Sequence, residues 1–152
     1  MNDLIIVTGL PGSGKSTYVS QNFCAETPHI DMRRFWADDT TWQDRMYNAL
    51  LEISSLSAPT TVIEGVFGPE SSLPGLVMTA QDMGLSVKVV VVDTPTNICF
   101  AGIVDNYLKD GDVERAMARA GILYWKRREF ERPESLPDCE ISIVRRNKND
   151  SR

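Results

Sequence analysis

The stretch Leu4-Ile5-Ile6-Val7-Thr8-Gly9-Leu10-Pro11-Gly12-Ser13-Gly14-Lys15-Ser16-Thr17 decides how this chain is read. Its first five residues are apolar or β-branched and predict a short buried strand. Gly9 to Ser16 then satisfies G-x-x-x-x-G-K-[ST], the spacing of a phosphate-binding loop. Beyond it, Tyr18, Val19 and Phe23 recur at helical spacing. A chance match would lack such flanks; strand, glycine loop and helix together are the context the motif needs. Glycines at 9, 12 and 14 let the backbone turn tightly and aim its N–H groups at an anion. A helix opening at Lys15 adds its positive dipole end. Gly9, Pro11, Gly12, Ser13, Gly14, Lys15, Ser16 and Thr17 are therefore the candidate nucleotide contacts. Lys15 is placed to reach the β- and γ-phosphates of ATP, with GTP as the alternative, and the Ser16 hydroxyl to ligate Mg²⁺.

The 152 residues suit one domain with a substantial core, expected over 1–146 with a polar tail at 147–152. No apolar run approaches the ~20 residues of a membrane span, and the first strand begins too early for a signal peptide. Cys24, Cys99 and Cys139 are odd in number and widely spaced, which favours neither a disulfide framework nor a zinc site. A cytoplasmic protein with no membrane partner is expected; oligomeric state is not legible. The net charge of −5 is uneven: residues 1–114 hold 6 Lys/Arg against 15 Asp/Glu, and residues 115–152 hold 10 against 6. A basic C-terminal third could meet substrate phosphates or be an ordinary solvated helix face.

Strand candidates are Leu4–Thr8, His29–Asp31, Thr60–Glu64, Ser86–Val92 and Glu140–Val144. Helices are expected over 15–22, 41–56, 74–83, 96–109 and 112–128. Thr41 and Asp44 read as a capping pair, and Gly84 as a C-terminal cap. On the second helix Trp42, Met46, Leu50, Ile53 and Leu56 form the inward stripe; on the fifth, Val113, Met117, Ala120 and Tyr124 do. Strand–helix alternation implies a parallel sheet covered on both faces, an α/β fold. Such sheets bind ligands at the carboxyl ends of their strands, where Thr8, Asp31, Glu64 and Asp93 stand.

Three acids at those ends invite chemistry. Asp31 could take the proton of an acceptor hydroxyl attacking the γ-phosphorus, and Arg34 could clamp an anionic group on that acceptor. The structural alternative is a turn-capping Asp paired with its Arg. Glu64 or Asp93 could hold Mg²⁺ through its water shell; Glu64 is preferred, and Asp93 also suits a helix cap. Arg115 and Arg119, four residues apart on the fifth helix, could close over the transferring phosphoryl group. Gly102 and Gly111 bracket a candidate hinged lid, about 102–120. Lys126, Arg127, Arg128 and Arg132 read as a solvated helix end, His29 as structural, and Trp36 and Trp42 as core. Asn147-Lys148-Asn149-Asp150 matches the guanine-reading N-K-x-D of GTPases but lacks a following helix, and is taken as coincidence.

Assembled, these residues resemble the compact P-loop kinases, in particular the polynucleotide-kinase-like and zeta-toxin-like group. Gly9–Thr17 is similar to the group's ATP loop. His29-Ile30-Asp31-Met32-Arg33-Arg34 resembles its second-strand acid and following arginine, which act there as general base and acceptor contact. Val62-Ile63-Glu64-Gly65 is similar to the zeta-toxin third strand. Pro95, Gly102-Ile103 and Asn106-Tyr107 resemble the stretch leading into the lid. The resemblance implies a three-layer α/β/α P-loop fold, a five-stranded parallel sheet in the order 2-3-1-4-5 and a small helical lid. It also implies γ-phosphoryl transfer to a hydroxyl. The group usually carries an arginine where Asn106 stands, which moves the lid role to Arg115 or Arg119. Three functions follow as expectations: a kinase for a polynucleotide or nucleotide hydroxyl; a kinase for a nucleotide sugar, sugar or antibiotic; or a non-catalytic NTP-binding regulatory module.

Overall fold

A computed structural model describes residues 2–35, 39–69, 71–131 and 139–146. Five strands form one parallel sheet: β1 (Asp3–Thr8), β2 (His29–Asp31), β3 (Thr60–Gly65), β4 (Ser86–Asp93) and β5 (Glu140–Arg145). Their order is β2-β3-β1-β4-β5, as the resemblance implied. Helices α1 (Lys15–Asn22), α2 (Trp42–Ser55), α3 (Ser72–Asp82), α4 (Thr96–Asp110) and α5 (Val113–Lys126) lie between them. Every expected strand and helix is present, with ends within about two residues of those read from sequence.

Side chains alternate across the strands, so β1 feeds two cores. Leu4 and Ile6 join Ile63, Val89 and Val91 under α2, α3 and α4. Ile5 and Val7 join Val62, Val90 and Val92 under Val19 of α1. The first core is the larger, and Phe67, fully buried there, meets Trp42 edge-on at 5.6 Å. Trp42 is thus a core residue, as expected; Trp36 lies outside the described residues.

The element ends follow their sequence signals. Thr41 and Asp44 make a reciprocal capping box at the start of α2. Gly84, with φ +85°, turns the chain out of α3 while Leu85 N–H bonds back to the Ala80 carbonyl. Asp112 caps α5 by accepting from the Arg115 N–H at 3.0 Å. At the sheet's carboxyl edge the buried Thr8 hydroxyl accepts from Phe67 N–H and donates to Phe67 carbonyl, both at 2.9 Å. That pair ties the end of β1 to the loop after β3.

One expectation is reversed. The α5 stripe Val113, Met117 and Tyr124 faces solvent, 51, 70 and 60% exposed. Leu123 and Ala116 pack inward instead, with Arg119 and Ala120 half-buried beside them. Periodicity located an apolar stripe, but α5 packs chiefly on α4, and the small side chains let the two helices close together. The rotation turns Arg119 inward.

Candidate active site

The phosphate loop is shaped by its own sequence and clamped by three neighbours. Gly12 and Gly14 have φ of +80° and +95°, which only glycine adopts without strain. A Cβ on Gly12 would also stand 2.2 Å from the Cys99 carbonyl oxygen of α4. Gly102, one turn on, lets α4 pass close: a Cβ there would meet the Gly12 oxygen at 3.1 Å. Gly102 is therefore a close-packing residue against the loop. From β4, the buried Thr94 hydroxyl donates to the Ser13 carbonyl at 2.8 Å. From β5, Arg146 donates to the Gly14 carbonyl at 2.9 Å.

Lys15 opens α1 and folds back over the loop, donating to the Gly9 and Leu10 carbonyls at 3.1 and 2.9 Å. Burial pushes its ammonium down to about 8; the charge of Glu64 opposes this, and those of Arg119 and Arg33 add to it. The neighbouring Cys99 thiol is pushed up to about 11 by burial, which leaves it an inert core thiol.

Ser16 Oγ lies 3.0 Å from both oxygens of Glu64, which is 3% exposed at the end of β3. Asp93 instead pairs with Arg145 at 2.6 Å. Of the two acids, Glu64 is the one beside the loop. A hydroxyl and one carboxylate are hard oxygen donors, and Mg²⁺ in nucleotide sites takes one or two protein oxygens with phosphates and water. The residues present fit that ion, and among the described residues no larger cluster of His, Cys, Asp or Glu offers a rival metal site.

His29, read as structural, contacts the site acid. Its Nε2 stands 2.7 Å from Glu64 Oε1, so it holds the side of the carboxylate facing away from β1. Parallel pairing explains the contact: Asp31 is level with Glu64, and His29 shares the Asp31 face of β2. A lone histidine at a strand's start gave no such signal.

Asp31 ends β2 and is gripped by Arg33, which had no assigned role. Arg33 Nε donates to both carboxylate oxygens at 3.1 and 3.0 Å, and its backbone N–H to Oδ1 at 3.0 Å. Burial alone would raise the Asp31 pKa, but the Arg33 hydrogen bonds and charge outweigh it and hold the carboxyl below its ordinary range. The same bonds raise Arg33. Arg34, the sequence candidate for the acceptor clamp, is turned away to pair with Glu52 of α2. The turn at Met32–Phe35 is of the tight three-residue kind, and it sends consecutive arginines to opposite sides.

The two α5 arginines also separate. Arg115 pairs with Asp110 at 3.4 Å. Arg119 is half-buried and held below its usual range by burial first, then by the charges of Arg115 and Arg33. Both line a narrow cleft between α4 and α5, with Ile103, Asn106, Tyr107 and Asp110. Among the described residues of the basic C-terminal third, Lys126 pairs with Glu129 at 3.0 Å, Arg127 lies over the Tyr124 ring and Arg145 pairs with Asp93. Arg132 and the Asn147–Asp150 match lie outside the described residues.

No family model matches this chain, and no curated protein does. Solved structures do. A provisionally assigned kinase from Chloroflexus aurantiacus J-10-fl superposes with a TM-score of 0.61 at 17% identity, over 97% of this chain and 90% of the other. A gluconokinase from Sinorhizobium meliloti 1021 gives 0.60 at 16%, over 94 and 82%. TT1252 from Thermus thermophilus gives 0.54 at 14%, over 99 and 92%. The fold is the one those three structures have. At such identities the likeness is one of fold, and what the site does is argued from its residues.

Proposed function

We propose that this protein is an ATP- and Mg²⁺-dependent phosphotransferase that moves the γ-phosphoryl group to a hydroxyl of a small anionic acceptor. The observation that carries the reading is Lys15 folded over the phosphate loop, Glu64 against Ser16, and the Arg33-held Asp31 level with Glu64 on the neighbouring strand. The loop amides and Lys15 cradle the triphosphate, and Ser16 with Glu64 would hold Mg²⁺. That ion, when bound, neutralises charge on the β- and γ-phosphates. Asp31, kept ionised by Arg33, accepts the acceptor's hydroxyl proton as its oxygen attacks phosphorus. Arg119 stabilises the charge spread over the equatorial oxygens.

Arg119, half-buried and lining the cleft between α4 and α5, favours an acceptor bearing a carboxylate or phosphate. A nucleotide fits, and so does a sugar acid, the substrate named for the S. meliloti neighbour. The polynucleotide acceptor anticipated from sequence is less well supported. It needs a stripe of unengaged cations along the strand's path, and among the described residues Lys126, Arg127 and Arg145 are engaged within the protein. The regulatory-module reading leaves Arg119 without a task and gives Asp31 only the turn-capping pair with Arg33.

The test is transfer of label from γ-labelled ATP to a panel of acceptors: nucleosides, nucleotides, sugar acids, neutral sugars, and 5′-hydroxyl DNA and RNA. Labelled nucleotide or sugar acid is the expected product. Labelled DNA or RNA alone would restore the polynucleotide reading. Release of free phosphate with every acceptor would contradict the proposal.

A further inference from the structure

Arg146 follows β5 directly and was absorbed by neither the sequence reading nor the proposed chemistry. Its backbone N–H continues the sheet ladder to the Asp93 carbonyl at 2.8 Å. Its side chain then crosses to the phosphate loop, and the residue is 93% buried, with 7% exposure. Nη1 donates to the Gly14 oxygen, which also accepts the first helical bond from Tyr18 N–H at 2.9 Å. The guanidinium lies flat on Gly14: a Cβ there would stand 2.5 Å from Nη1, 3.0 Å from Cζ and 3.4 Å from Nε.

This is an unusual place for a cation. A buried guanidinium stands at the N-terminal end of α1, whose dipole is positive there, and the side-chain partner it has among the described residues is the Gly14 carbonyl. The arrangement is costly unless an anion completes it. The anion the loop is built for is a nucleotide's phosphate chain. Its reacting end must point toward Asp31 and Glu64 on β2 and β3. Arg146 arrives from β5, across β1 and β4 from those strands, so it meets the other end of the chain.

We propose that Arg146 is a donor-binding residue: it fixes the Gly14 carbonyl with Nη1 and presents its remaining N–H groups to the nucleoside-side phosphate of the donor. The proposal rests on the kinase reading for the identity of the donor. It is tested by binding, with no turnover required.

Titrate wild type, Arg146→Gln and Arg146→Lys with ADP, ATP and GTP in the presence of Mg²⁺ by calorimetry, with thermal melts of the unliganded proteins alongside. Glutamine keeps a neutral donor for the Gly14 carbonyl and removes the charge. Losing a charge-assisted phosphate contact predicts roughly ten- to a hundredfold weaker binding, by the same factor for all three nucleotides. Lysine keeps the charge without the planar fork and is expected to fall between glutamine and wild type. Glutamine binding as tightly as wild type would overturn the proposal, because the Gly14 bond alone would then suffice. A loss that differs between ATP and GTP would also overturn it, since a phosphate contact is blind to the base. If glutamine does not fold, lysine decides: binding weakened several-fold supports the contact, and unchanged binding overturns it. Failure of the wild type to bind any nucleotide would instead sink the kinase reading.

Discussion

Asp31 and Lys15 carry the two titrations the reaction depends on. Arg33 lowers the Asp31 carboxyl against a burial effect that would raise it. Replacing Arg33 with Ala therefore leaves burial in command and raises the Asp31 pKa. The acid limb of kcat/KM in Arg33→Ala should move to higher pH than in wild type, measured as a pH–rate profile. Lys15 behaves in the opposite sense. Burial holds its free-protein pKa at about 8 against an ordinary 10.5, and bound phosphates raise it again. Between those values nucleotide binding takes up a proton, so affinity falls as pH rises through the window. Calorimetry in two buffers of different ionisation heat at pH 8.5 to 9.5, roughly mid-window, should register the uptake. Both effects come from contacts between distant residues. The sequence showed an acid at a strand end followed by two arginines; which arginine turned back onto the acid depended on α2, where Glu52 claims Arg34.

At the scale of elements, the glycines divide into those the loop requires and those the helices merely tolerate. Gly12→Ala places a Cβ against the Cys99 carbonyl at a left-handed φ, and should abolish nucleotide binding through collapse of the loop geometry. Gly75 in α3 and Gly121 in α5 have open space where a Cβ would stand. Gly75→Ala and Gly121→Ala should each stabilise the protein by about 0.5–1 kcal/mol, read as a higher urea midpoint at unchanged slope. Helix α5 carries the sharper functional contrast. Arg119 is half-buried, whereas Arg115 is exposed and paired with Asp110 at the helix start. Arg119→Ala should lower kcat by about a hundredfold or more with little change in nucleotide affinity, and Arg115→Ala by clearly less. The sequence could not separate them. An i, i+4 pair shares a face, and the rotation of that face was set by how Ala116 and Leu123 pack on α4.

Across the whole molecule, the sheet exists to bring five strand ends together around one loop. Its order was implied by the family resemblance, whereas its parallel sense follows from short apolar strands alternating with amphipathic helices, a pattern local enough to be read directly. The donor half of the site was legible for the same reason, because Gly9 to Thr17 is contiguous. Glu64 was reachable as a strand-end acid. His29, Arg33 and Arg146 were not, since their partners lie on other strands or on the loop itself. For Arg146 one signal was present: it follows the fifth strand end, a position that a survey of acids alone passes over. Phe67 joins fold to site at this scale, packing fully buried on Trp42 while its backbone bonds the Thr8 hydroxyl beside the loop. Phe67→Ala should cost about 3–5 kcal/mol in urea unfolding. The central claim is that the holding site is also a transfer site. It is tested most directly by following the fate of the γ-phosphoryl group in a single turnover with wild type and Asp31→Asn, both loaded with labelled Mg–ATP and an anionic hydroxyl acceptor. The account predicts label on the acceptor with wild type and a loss of about 10²–10⁴-fold in that step with Asp31→Asn, nucleotide binding remaining intact. Label appearing only as free phosphate, at the same rate in both proteins, would contradict it.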